Sequence, residues 1–290
     1  MAKTLLRSFS RAALRLAVLG WLLSAASAQA PRTHGVVLGD LSWKQAEKLL
    51  GADTIVVIPL GAEAKEHGPH LRLDNDAQLA RYFASRVLAA ADVVVAPTLN
   101  YSFYPAFLEY PGSTSLRFDT ARDTVADVAR NFAGYGVRRI YVLNTGVSTM
   151  RPLAAAAQML AKEGILLRYT DIIRAGGDVE KRVAQQVRGT HADEIETSMM
   201  LYIAPGRVDM RLAVRDDSPD APGPLTRMPD GKGVYSPSGI WGDATLATRA
   251  KGKLVVEARV RAILADLQAL RAAALPAAVA PAALPPAAAP

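Results

Sequence analysis

Fourteen consecutive positions, Glu63 to Asp76, hold two histidines, His67 and His70, and four carboxylates, Glu63, Glu66, Asp74 and Asp76. Imidazole nitrogen combined with carboxylate oxygen is the donor set of catalytic zinc and manganese sites. Gly68-Pro69 forces a turn, so His67 and His70 can face a common point although they are close in sequence. Half of the chain's four histidines lie in this one turn. Asp76 opens a helical pattern, where the macrodipole also favours an anion. The bland alternative is a solvated loop in which Asp74 and Asp76 only cap that helix.

A second cluster, His191-Ala192-Asp193-Glu194-Ile195-Glu196-Thr197-Ser198, opens the apolar stretch Met199 to Tyr202. Burying His and Glu at such a place is costly unless the groups are paired or used. His191 suits a general acid/base, since an imidazole titrates near neutral pH. Read structurally, the same residues are a helix N-terminus with acids in its first turn.

The surrounding pattern says what positions these residues. Thr54 to Leu60 is apolar on both faces, as a buried parallel strand should be. Ala80, Phe83, Ala84, Val87 and Leu88 follow helical spacing, and Asp92 to Pro97 reads as the next strand. Val125, Val128, Ala129, Phe132 and Ala133 form another apolar stripe, ended by Gly134 and Gly136. Arg139–Asn144 predicts a strand, Pro152 to Lys162 a helix, and Ile165 to Tyr169 a fourth strand. Alternation of this kind predicts a mostly parallel sheet with helices on both faces. Ligands then bind beyond the carboxyl ends of the strands, so the loops after Leu60, Pro97, Asn144 and Tyr169 should share one rim.

The ends and the composition bound the function. A basic start, the apolar run Leu16 to Leu23 and Ala28-Gln29-Ala30 predict a signal peptide over 1–30, cleaved after Ala30, so no stable membrane anchor remains and the protein is periplasmic or secreted. The whole chain carries net charge +7, and the leader holds four basic residues and no acid, which leaves +3. The remaining basic residues are dispersed, which argues against a nucleic-acid partner. With no cysteine, thiol nucleophiles and thiolate metal sites are excluded. Residues 31–270 are expected to form one folded domain, and the Ala/Pro-rich 271–290 a disordered tail. Gly146-Val147-Ser148-Thr149-Met150 lacks the second glycine of a serine-hydrolase elbow, and no G-x-G-x-x-G follows a strand.

Taken in order, Pro59-Leu60-Gly61, His67-Gly68-Pro69-His70-Leu71 with Asp76, Tyr110-Pro111-Gly112-Ser113-Thr114, His191-Ala192 with Glu196-Thr197-Ser198, and Gly242 to Thr248 resemble the creatininase (creatinine amidohydrolase) family. The resemblance runs from about Leu41 to Leu264. It implies a three-layer α-β-α fold and a homo-oligomer, often a hexamer in the family. It also implies hydrolysis of a cyclic amide or related C–N bond in a small-molecule substrate, with one or two divalent ions, zinc or manganese, activating water. By the same resemblance His67 is a metal-binding histidine, Asp76 the bridging carboxylate and His191 the catalytic acid/base.

Four departures qualify it. Lys65 stands where the family has a metal-binding Glu, and the loop from Gly61 to His67 is one residue longer. Gly146 stands in place of a ligand histidine, and Ser148 where creatininase has a carboxylate. The expected site is therefore a reduced one, with Glu66, His67 and Asp76 as metal ligands, His70 as an additional candidate ligand, and His191 and Glu196 as catalytic groups. The competing expectation is a creatininase-like fold without catalysis that binds a small molecule or a partner; the retained His67, Asp76, His191 and Glu196 favour the enzyme. Tyr101, Phe103, Tyr104, Phe107 and Tyr110 are expected to wall a pocket or an oligomer interface, and Asp216 to Lys232 to form an exposed, lid-like loop.

Overall fold

The computed structural model describes residues 34–221 and 223–278. Along the chain it has β1 (Val36–Val37), α1 (Trp43–Leu49), β2 (Ile55–Leu60), α2 (Asn75–Ala90), β3 (Val94–Val95), α3 (Phe118–Gly134), β4 (Arg139–Asn144), α4 (Met150–Ala161) and β5 (Leu166–Tyr169). There follow α5 (Gly177–Val183), α6 (Glu194–Ile203), β6 (Arg215–Asp216), β7 (Leu225–Thr226), β8 (Val234–Tyr235), β9 (Gly242–Asp243) and α7 (Arg249–Ala272). The five strands β1 to β5 form one parallel sheet in the order β1-β3-β2-β4-β5.

Alternation along the strands splits the core in two. Ile55, Val57, Val95, Tyr141 and Leu143 face α2, α6 and α7, meeting Phe83, Met199 and Val255. Val56, Ile58, Val94, Ile140 and Val142 face α3 and α4, meeting Ala129, Phe132, Leu153 and Leu160. Because β2 lies at the centre of the sheet, all six of its residues are buried. This is the expected three-layer fold. The helix expected from Pro152 begins at Met150, with Pro152 in the first turn where its missing N–H costs nothing. Only Val94–Val95 of the strand expected over Asp92 to Pro97 is regular; beyond it Pro97 cannot donate to a ladder, although Leu99 N still donates to Pro59 O at 2.8 Å.

Two expectations change in detail. The stretch from Asp216 to Lys232 is exposed along most of its described length, as expected, but it is pinned at points: β6 pairs with β9, β7 pairs with β8, and Leu225 and Val234 pack on Tyr104, Phe107 and Tyr110. Likewise α7 runs to Ala272, two residues past the expected domain end. The expected leader, and the tail beyond residue 278, lie outside the described residues.

Candidate metal centre

β2 delivers the first cluster to the sheet's carboxyl rim, and a close approach locks it there. A Cβ on Gly61 would lie 2.9 Å from Ala80 Cβ and closer still to the Asp76 carbonyl, so only glycine lets the strand end press onto α2. Asp76, in the first turn of α2, is thereby set beneath the loop that carries Lys65 to His70. Gly68, at φ +69°, makes the turn that returns His67 toward it.

The hydrogen bonds of His67 define its chemistry. Nδ1 lies 2.9 Å from the carbonyl oxygen of Lys65, which can only accept, so Nδ1 carries the proton. Nε2 then presents its lone pair to Asp76 Oδ1 at 3.0 Å, another acceptor. Two lone pairs at that distance require a positive centre, either a second ring proton or a metal ion. Both side chains are fully buried.

His191 is arranged in the opposite sense. Its Nε2 lies 3.0 Å from both Glu66 Oε2 and the Glu66 carbonyl, so Nε2 carries the proton. Nδ1 has no such partner and sits 3.7 Å from Glu196 Oε2. Burial disfavours the charged ring, but Glu66 and Glu196 outweigh it and raise the His191 pKa above its usual value. Burial likewise pulls Glu66 upward, yet His191, the Gly68 N–H and His67 together hold it below the ordinary carboxylate range. Phe107 lies against the His191 ring, centroids 4.3 Å apart, and shields the pair from solvent.

The second cluster is held by α6. Asp193 caps the helix, accepting from Ile195 N and Glu196 N at 2.9 Å. Ala192, whose N–H donates to Glu196 Oε2 at 2.6 Å, has φ +50°, the one positive value outside glycine among the described residues. That left-handed residue turns His191 back over the start of the helix. Nitrogen atoms of His67 and His191 and a Glu196 oxygen all fall within 4.8 Å of one another.

Of the residues singled out in the sequence, His67, His191 and Glu196 therefore converge as donors. Asp76 abuts His67, while Glu66 is turned away to His191 and Gly68 and is not in the converging group. His70 serves structure: Nε2 pairs with Thr197 Oγ1 at 2.7 Å, and burial lowers its pKa to about 4. Gly146 leaves no imidazole after β4; a Cβ there would lie 2.9 Å from Thr149 Oγ1, which is bonded to Asn144 and the Gly146 carbonyl. Sequence reasoning missed the partner of Asp76 Oδ2, which is Lys65 Nζ at 2.7 Å, both side chains buried. The available signal was a lone lysine inside a carboxylate-rich loop.

The Glu66–His191 pair has a pH signature in the metal-free protein. A lowered Glu66 stabilises the fold above its unfolded pKa, and this is lost as pH falls through the folded value; a raised His191 stabilises below its unfolded pKa, and this is lost as pH rises through the folded value. Both contributions are complete between the reference values of about 4.5 and 6.5. The melting-temperature difference between wild type and Glu66→Gln should peak in that window. A difference that stays flat from acid to alkaline pH would rule the pair out as a charged one.

A profile of the creatinine amidohydrolase (creatininase) family matches residues 39–267. The creatinine amidohydrolase of Pseudomonas putida is 28% identical over 250 residues, 80% of this chain and 95% of that protein. A mycofactocin precursor peptide peptidase of Mycolicibacterium smegmatis is 31% identical, covering 69% of this chain and 79% of its own. Among solved structures, a manganese creatininase aligns with TM-score 0.68 and 26% identity over 82% of this chain and 100% of the other. A creatininase variant of Zn–Zn type gives TM-score 0.68 at 25% identity, covering 82% of this chain and 98% of the other.

Proposed function

The chain belongs to the creatininase family, and we propose that it is a metal-dependent amidohydrolase acting on an amide-type C–N bond of a small molecule. The observation that carries this is the convergence of His67, His191 and Glu196, with Asp76 Oδ1 facing the lone pair of His67. Nitrogen and carboxylate donors of this kind suit zinc or manganese.

His67, Asp76 and Glu196 would hold the ion. His191 is assigned to proton transfer, the role the family resemblance implies, and the carboxylates of Glu66 and Glu196, which outweigh burial and raise its pKa, suit it to take up a proton. When bound, the ion supplies a Lewis acid that polarises the carbonyl and lowers the pKa of water. Glu66 pins Nε2–H of His191 and fixes the ring's orientation, so Nδ1 takes up a proton and returns it to the leaving nitrogen. Phe107 covers the His191 ring, and the burial of both rings excludes bulk water, which strengthens every charge interaction inside.

The test is metal analysis of the purified protein after loading with zinc or manganese, followed by assay on creatinine and a panel of cyclic amides. His67→Ala should abolish stoichiometric metal and turnover together. A wild type that takes up neither metal would end this reading.

Export and homo-oligomeric assembly complete the proposal. The first is supported by the pattern of residues 1–30, the second by family resemblance and by exposed apolar side chains such as Trp43 and Leu254. Mass spectrometry of the protein from a periplasmic fraction should find Pro31 as the first residue. An intact N-terminus, or protein confined to the cytosol, would contradict it.

A further inference from the structure

We infer that Lys65 is a built-in cation: its ammonium neutralises Asp76 Oδ2 from within the chain, so the centre takes one divalent ion and excludes a second. The inference rests on the metal-dependent reading above and specifies its stoichiometry and its second charge. Three observations carry it.

The first is placement. Asp76 has no exposed surface, and its two oxygens are both engaged, Oδ1 toward His67 and Oδ2 with Lys65 Nζ at 2.7 Å. An ion bridging both oxygens would have to displace the ammonium. Lys65 is itself buried, with Nζ 4.8 Å from the Phe107 ring centroid and 5.6 Å from that of Tyr104. Those aromatic faces hold a cation by their quadrupoles and give it no route to water.

The second is space. Beside Tyr104, the described residues from the end of β4, Asn144 to Thr149, offer a second ion no imidazole and no carboxylate. The position a side chain at Gly146 would take is closed by Thr149 Oγ1 at 2.9 Å and Tyr104 Cε1 at 3.5 Å. Thr149 and Asn144 satisfy one another there at 2.5 Å.

The third is charge. Glu66, Asp76 and Glu196 are three carboxylates around one largely water-free centre. Glu66 is already matched by His191, so Asp76 and Glu196 face one ammonium and one divalent ion, and a second divalent ion would add two further positive charges that no carboxylate there compensates in a low-dielectric site. The ammonium also stays fixed when the ion leaves, so Asp76 remains compensated in the metal-free protein.

The experiment is titration of metal-depleted mature protein with Mn(II), read by elemental analysis and by the electron paramagnetic resonance of the bound ion. Wild type should saturate at one equivalent with an uncoupled six-line spectrum. Two equivalents with an exchange-coupled spectrum would overturn the inference while leaving the metal-dependent function intact. No bound ion would sink the function proposal and the one-ion centre with it. Lys65→Glu, which exchanges the cation for a donor, should admit a second equivalent; if it still saturates at one, Lys65 is not what excludes the second ion. Should that variant fail to fold, Lys65→Met keeps the stem and removes the charge. Its melting temperature should fall by about 5 °C or more in the metal-free form and much less with Mn(II) bound. Equal loss in both forms would show a packing role only.

Discussion

Replacing His191 by alanine is expected to lower hydrolysis about a thousandfold while one equivalent of metal stays bound. A positioned general acid/base contributes roughly 10²–10⁴ in rate, and a thousandfold loss corresponds to about 4 kcal/mol of barrier. The separation of the two readouts follows from the geometry. His191 Nε2 is committed to Glu66 and leaves only Nδ1 for chemistry, whereas the Nε2 lone pair of His67 faces Asp76 and must meet a positive centre. Alanine at 191 therefore removes the proton carrier and spares His67, Asp76 and Glu196. Glu66→Gln should give a smaller loss and move the rate profile to lower pH, because the ring loses the carboxylate that raises its pKa. If His191→Ala releases the metal, His191 is a ligand and the roles proposed here are wrong.

Gly252→Ala should unfold much of the protein or cost at least about 3 kcal/mol, although Gly252 lies on α7 and contributes no side chain to the centre. Helix propensity alone favours alanine over glycine by about 1 kcal/mol in a helix interior. The packing decides otherwise. A Cβ on Gly252 would lie 2.9 Å from Met199 N and closer still to the Ser198 carbonyl, so α6 and α7 touch backbone to backbone. The contact is reinforced by Thr248 N donating to Ser198 Oγ at 3.0 Å and by the ion pair of Lys251 with the buried Glu194. Backbone atoms cannot rotate aside as a side chain can, so α6 must shift, and Glu196 moves with it. Denaturant unfolding checks the stability, and metal affinity of any folded fraction checks the displacement of Glu196. A melting temperature at or above wild type would refute the close contact.

Much of the frame was legible in the sequence because burial leaves a periodic trace. β2 and β4 showed as apolar runs since both faces of a central parallel strand are covered. Helices α2 and α3 showed as stripes at 3.6-residue spacing, and the family motifs carried the identity of His67, Asp76, His191 and Glu196 as a set. Short edges left weaker marks: β3 is two residues long, and the pairing of β7 with β8 leaves no alternation to detect.

What the sequence by itself determined is the inventory of chemical groups, two histidines and several carboxylates free of thiols, and their delivery to one end of a parallel sheet. Only the tertiary structure decided which carboxylate meets which ring. Glu66 and His67 are neighbours in the chain, yet Glu66 pairs with His191, 125 positions away, while His67 pairs with Asp76. Lys65 read in sequence as a missing ligand, and in space it is the cation that Asp76 holds. The physical reason is that sequence spacing reports which face of an element a side chain occupies. The sign and distance of the charge opposite it depend on how separate elements close over one another, here the loop after β2, the start of α2, the aromatic cap and the N-terminus of α6.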